Sequence, residues 1–133
     1  MSVSGDPERM LKNVLRKIKK GAHFVVTQPV YDIKAARRVF EKLKDVPVIA
    51  GIMPLVSYRN AEYLHYEVPG IEIPEEFLRR MKGKSGREGE LEGIEIAVEV
   101  IEGIIDLVNG ILFMPPLGKY RLIPEILEKL GEI

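Results

Sequence analysis

The sequence predicts an α/β fold in which an open parallel sheet of three strands is flanked by helices. Two observations carry this. Three short apolar runs, Phe24–Val26, Val48–Ile52 and Ile111–Phe113, lack the polar alternation of a half-exposed strand, and each is followed within a few residues by proline. Amphipathic helical segments separate the runs, and strands that alternate with helices imply right-handed crossovers and parallel pairing.

The first helix opens at Asp6-Pro7-Glu8, which supplies an N-cap acceptor, a proline at the first helical position and an acid in the first turn. Met10, Leu11, Val14, Leu15 and Ile18 then recur at helical spacing, Lys17, Lys19 and Lys20 place cations near the end, and Gly21 stops the helix. The strand Phe24–Val26 is expected to be covered on both faces, with Thr27 and Gln28 where it stops and Pro29 ending its pairing. Asp32 caps a second helix, with Ile33, Ala36, Val39, Phe40 and Leu43 on its apolar face and Arg37, Arg38, Lys42 and Lys44 in solvent. Pro54 closes the second strand. Ser57 caps a short helix from Tyr58 to Tyr66, and Pro74-Glu75-Glu76 starts another that reaches Met81. Gly83 to Gly89 reads as a mobile surface loop. A long helix follows to about Val108, with Ile94, Ala97, Val98, Ile101, Ile104, Ile105 and Val108 as its buried stripe and Asn109-Gly110 at its end. Pro115-Pro116 terminates the third strand, and the last helix runs from Arg121 to Leu130.

Composition narrows the function classes. A chain of 133 residues is enough for one domain around one core. Hydrophobic content of 46% and charged content of 30% read as a soluble globular protein. Lysine plus arginine and aspartate plus glutamate number 20 each, which argues against a nucleic-acid binder. The absence of cysteine excludes disulfides, thiolate catalysis and cysteine-ligated metals, and it fits a cytoplasmic location. His23 and His65 are the only histidines and show no metal-ligand spacing, so no metal site is expected and both read as structural or surface groups. Met1 to Asp6 has no apolar signal core, and no apolar run is long enough to cross a bilayer.

In parallel α/β sheets, ligands bind at the carboxyl ends of the strands. That makes Gln28 the first candidate to touch a substrate, with Tyr31, directly beyond the same strand, as a second pocket-lining group. Three strands cannot close a barrel of eight, although strand ends marked by proline and polar groups resemble the active face of one.

Four stretches give the chain a family resemblance. They are Gly21-Ala22-His23-Phe24 through Thr27-Gln28-Pro29-Val30-Tyr31-Asp32; Ala50-Gly51-Ile52-Met53-Pro54 running into Ser57-Tyr58-Arg59-Asn60-Ala61-Glu62; Val68-Pro69-Gly70-Ile71-Glu72-Ile73-Pro74; and Met114-Pro115-Pro116-Leu117-Gly118-Lys119-Tyr120. Together they resemble the C-terminal part of the methylenetetrahydrofolate reductase family, flavin-dependent barrels that reduce methylenetetrahydrofolate to methyltetrahydrofolate. The resemblance implies a partial (β/α)8 TIM barrel, open rather than closed, with residues 1–133 as a single segment matching the sixth to eighth strands. It implies that Gln28 hydrogen-bonds the folate pterin, whose edge shows adjacent donors and acceptors to an amide. It places Asn60 on a second folate-contacting position. Lys119 stands where the family has arginine, keeping the charge for a folate carboxylate but losing the bidentate fork. Asn13 and Lys17, four apart on one helix face, fall on positions that contact FAD, while Met10 replaces an acidic cofactor contact.

The family's proton-donating glutamate and its flavin-side aspartate belong to strands without a counterpart here, so no catalytic residue is assigned. The resemblance therefore implies the folate-binding part of an oxidoreductase, with hydride passing from a reduced nicotinamide through FAD to folate. Activity is expected only with a second chain that supplies the missing strands, or through self-association. The alternative is a non-catalytic remnant or an interaction module that uses its open sheet edges.

Overall fold

A computed structural model describes residues 6–131. The stretch Met1 to Gly5, expected to lack a signal core, lies outside the described residues. Six helices and three strands follow in the order α1 (Pro7–Lys19), β1 (Val25–Pro29), α2 (Ile33–Glu41), β2 (Val48–Ile52), α3 (Tyr58–Glu67), α4 (Glu75–Met81), α5 (Gly86–Ile104), β3 (Gly110–Phe113) and α6 (Leu122–Leu130). Single 3-10 turns, Ile105–Leu107 and Pro116–Gly118, bracket β3. The strands form one open sheet in the order β1-β2-β3, every neighbour parallel.

Side-chain caps set three of the six helix starts. Asp6 accepts from the Glu8 amide at 3.1 Å, Asp32 from Ala35 at 3.0 Å and Ser57 from Asn60 at 3.0 Å, each relieving one orphan N–H of a first turn. One face of the sheet is then sealed. Val48, Ala50 and Ile52 of β2 are buried in one cluster with Ala36, Val39 and Phe40 of α2 and with Ile94, Ala97, Ile101 and Ile104 of α5.

The other face is not sealed. Phe24 is 54% exposed, Val26 37% and Leu112 44%. Pairing places Val26 beside Ile49 and Leu112 beside Gly51, so these side chains share the uncovered face. The expectation that the first strand is covered on both faces is thus corrected. Every residue of the run is apolar, but helices pack on one side only.

The course of β1 is corrected as well. It begins at Val25 and continues through Pro29. Three residues of β1 oppose two of β2, because Val26 pairs with Ile49 and Pro29 with Gly51. Thr27 bridges the slip. Its buried hydroxyl accepts from the Gly51 amide at 2.9 Å and donates to the Gln28 carbonyl at 2.7 Å. The Val30 amide, just beyond β1, donates to the Gly51 carbonyl at 3.0 Å, so Thr27 and Val30 together satisfy both backbone groups of Gly51. Proline is tolerated because β1 is an edge strand.

Residues 86–89, expected in a mobile loop, form the first turn of α5. The helix ends at Ile104, earlier than its apolar stripe suggested, and tightens into the 3-10 turn before β3. Glycine at this helix start serves close packing. A Cβ on Gly93 would stand 1.5 Å from the Leu55 carbonyl oxygen, and one on Gly89 would stand 2.2 Å from that of Val56. Four residues apart on one helix face, the two glycines let the chain leaving β2 lie directly on α5.

No helix among the described residues is long and apolar enough to cross a membrane. No cluster of three or more histidine or acidic side chains among them could hold a metal.

Candidate functional site

Parallel pairing puts the loops after β1, β2 and β3 at one end of the sheet, the carboxyl end. Three sequence-predicted residues fall on these loops or at their borders, but they differ in how they are held.

Gln28 lies in the irregular stretch of β1 and is exposed. Thr27 turns inward to bond Gly51, which leaves Gln28 facing out. Its side-chain amide makes no hydrogen bond among the described residues, so it retains two donors and an acceptor. Asn60 is in the first turn of α3 and half-buried. Its side-chain oxygen accepts from the Val56 amide at 3.2 Å and shapes the turn that Gly89 and Gly93 press against. Its amide nitrogen makes no hydrogen bond among the described residues. Lys119 follows the 3-10 turn after β3 and is not free: its Nζ lies 3.0 Å from Glu90 Oε2.

Tyr31 is a core residue, 3% exposed, and its hydroxyl donates to the Met53 carbonyl at 2.8 Å. Burial pushes its phenol well above the ordinary value, so it stays neutral. The residue borders a surface hollow of about 450 Å³ with Asp32, Lys34, Pro74 and Phe77. Tyr31 therefore braces the loop after β1 against the end of β2.

Asn13 and Lys17 are not gathered with the others. Both are exposed on α1, whose last turn reaches the amino end of β1. Lys17 borders a hollow of about 170 Å³ with Val14, Ile18, Ala22, Phe24 and Val26. Ligand pockets usually measure about 300–1,000 Å³. The hollow beside Lys17 is smaller than that.

The carboxyl end also holds a group that sequence reasoning missed. Glu90, in the second turn of α5, has a side chain only 4% exposed. It accepts from Arg121 at 2.9 and 2.6 Å, from Lys119 at 3.0 Å and from Arg87 at 3.3 Å. Arg87 in turn grips Glu125 with both nitrogens, at 3.1 and 2.6 Å. The Arg121 guanidinium, ahead of Lys119 and Arg87, holds the Glu90 carboxyl down at about 2 against the opposing effect of burial. At neutral pH Glu90 is a carboxylate and has no proton to donate. The one available signal was its place between Gly89 and Gly93, a spacing that marks a tightly packed helix face.

His65 is structural, its Nδ1 accepting from the Ile73 amide at 2.9 Å. A second ion network ties α4 to α5, with Arg80 on Glu92 and Glu99 and with Lys84 on Glu92.

Residues 2–131 match the family model described as methylenetetrahydrofolate reductase. Methylenetetrahydrofolate reductase 2 of Schizosaccharomyces pombe is 28% identical over 119 residues, covering 81% of this chain and 18% of that protein. Methylenetetrahydrofolate reductase 1 of the same organism is 28% identical over 142 aligned positions, covering 98% of this chain and 22% of that protein. The chain thus spans about a fifth of the length of the curated relatives it matches. Among solved structures, an uncharacterized protein from Clostridium thermocellum that binds two copies of 5-methyl-5,6,7,8-tetrahydrofolic acid superposes with a TM-score of 0.57 at 22% identity, over 92% of this chain and 49% of that one. That likeness is one of fold. The match to the family model over nearly the whole sequence decides the assignment: the chain belongs to the methylenetetrahydrofolate reductase family.

Proposed function

We propose that this chain supplies the folate-binding part of a methylenetetrahydrofolate reductase-like oxidoreductase, receiving a reduced folate at the carboxyl end of its sheet. The observation that carries this reading is the placement of Gln28 near the end of β1, Asn60 after β2 and Lys119 after β3, three adjacent parallel strands in a chain matched to the family from residue 2 to 131. In the proposal, the exposed Gln28 amide pairs with the pterin edge, the Asn60 nitrogen adds a donor, and Lys119 meets a carboxylate of the tail. Tyr31 acts indirectly by fixing the loop that carries Gln28.

Reduction is proposed to need a second chain, or a second copy, that covers the open face bearing Phe24, Val26 and Leu112 and completes a barrel. Such a partner would also provide most of the FAD site, to which Asn13 and Lys17 contribute one wall. It would provide the proton donor, since Glu90 is held ionised. FAD would carry hydride, and this chain's share is orientation and electrostatics.

The test is a calorimetric titration of the chain with 5-methyltetrahydrofolate, followed by a nicotinamide-oxidation assay with FAD and methylenetetrahydrofolate. Binding that weakens in Gln28→Ala, without turnover by the chain alone, is the expected result. Absence of binding up to about 1 mM, the weak end of specific affinity, would sink the reading.

A second reading, a folate-binding module without chemistry, is favoured by one observation: the only deeply buried carboxylate among the described residues is ionised and ligated by three cations. Turnover restored by adding a strand-supplying partner would eliminate it.

A further inference from the structure

We infer that Glu90 is a positioning residue that holds Lys119 and Arg121 side by side as a two-cation receptor for the glutamyl carboxylates of a folate tail. The inference rests on the proposed folate reading and adds to it Arg121 and the group that organises both cations. The geometry is that of an inside-out ion cluster. The carboxylate is interior, at 4% side-chain exposure, while Lys119 and Arg121 lie outside it at 35% and 57%. Arg121 engages Glu90 through both terminal nitrogens, and Lys119 uses one of its three donors. Both cations therefore keep N–H groups turned to solvent.

Charge points the same way. Arg87 is matched by its two-point grip on Glu125. That leaves one carboxylate, Glu90, between two cations, and a net positive charge within this cluster. Position agrees too. Glu90 is near the start of α5, and Lys119 and Arg121 lie in the short connection from β3 to α6. Gly89, next to Glu90, lies against the Val56 carbonyl in the turn shaped by Asn60. The connection itself is held in an unusual backbone. Leu117 has φ +52 and Gly118 φ +73, and Leu117 is 81% exposed. Left-handed backbone at an exposed leucine persists only where its surroundings enforce it, and the Glu90 anchors on Lys119 and Arg121 lie immediately downstream. Without Glu90 the two cations would repel each other and separate.

The test compares two probes on the whole chain, 5-methyltetrahydrofolate and a tetrahydropterin lacking the aminobenzoyl-glutamate tail. For each, affinity is measured across a salt series. Wild type should prefer the tailed probe. Glu90→Gln and Arg121→Gln, each shown to be folded by circular dichroism, should weaken the tailed probe about tenfold, as expected for loss of one charge-assisted contact, and leave the tailless probe unchanged. The salt dependence of the tailed probe should flatten in Arg121→Gln. Lys119→Arg should retain the preference. Equal loss for both probes in Glu90→Gln would mean a merely structural role and overturn the inference. If Glu90→Gln fails to fold, Arg121→Gln, at an exposed position, decides the matter by the same criterion. Equal binding of the two probes by wild type would overturn it while the folate reading stands. Binding of neither probe would remove both.

Discussion

The two ends of α5 meet the rest of the molecule in different ways. At its start, Gly89 and Gly93 lie against backbone carbonyls of Val56 and Leu55, and a buried carboxylate gathers three cations. At its finish, Gly103 faces the flexible tip of Ile33, and Arg37 caps the helix by donating to the Gly103 carbonyl at 3.0 Å while pairing with Asp106 at 2.8 Å. Both ends have a glycine contact and an ion pair. Only the start is enclosed, and it is the start that borders the carboxyl end of the sheet. Enclosure, rather than the type of contact, sets what each end contributes. A backbone atom cannot move aside as a side-chain tip can, and a desolvated ion pair is screened far less than an exposed one.

Four substitutions should separate the two ends of α5. Gly93→Ala should have the largest effect, because its methyl would meet the Leu55 oxygen at 1.5 Å and the strand-end turn must shift. A loss of about 3 kcal/mol or more is expected in chemical denaturation, the upper range of overpacking. A loss below that of Gly103→Ala would break the comparison.

Glu90→Gln should rank next, costing on the order of 2 kcal/mol by removing the charge between Arg121 and Lys119. Acid should act in the same direction. The folded carboxyl is held at about 2, below its ordinary value of 4.5, so the unfolded chain takes up the proton first. Stability conferred by Glu90 is therefore complete above about 4.5 and is lost as pH falls toward 2. Glu92, lowered by Lys84 and then Arg80, adds to that slope. Melting curves across this window should flatten in the Glu90→Gln variant. An unchanged acid slope would show that Glu90 is not the group responsible.

Gly103→Ala should cost under about 1 kcal/mol. The gain in helix propensity offsets a contact that Ile33 can relieve by rotating, at 2.8 Å from its Cγ2. Arg37→Met should have the smallest effect. The Arg37 guanidinium holds Asp106 below the usual carboxylate range, but both side chains stand in solvent, at 36% and 60% exposure. Its melting temperature should approach that of wild type as salt is added.

Legibility of the fold followed the range of the interactions involved. The caps Asp6, Asp32 and Ser57 and the apolar spacing of α1, α2 and α5 could be read because each involves residues within a turn or two. The parallel order β1-β2-β3 followed from alternation of strands and helices. Glu90 could not be read that way. Its partners Lys119 and Arg121 are 29 and 31 residues further along, and nothing local separates it from the exposed acids Glu88 and Glu95 on the same helix. Gly86 to Gly89 looked like a loop because glycine lowers helix propensity, whereas here the missing Cβ at Gly89 is what the packing requires.

The sequence alone determined the number, type and order of the elements, the parallel sheet, the family, and the candidates Gln28, Asn60 and Lys119, since capping, periodicity and motif are written in neighbouring residues. Tertiary structure decided how those candidates are held. It slipped β1 against β2 so that Thr27 faces in and Gln28 out. It committed the Asn60 oxygen to Val56 and Lys119 to Glu90. It left one face of the sheet open, because helices cover only one side of three strands. Register, enclosure and ion pairing depend on which distant segments meet, and that is settled only when the core closes.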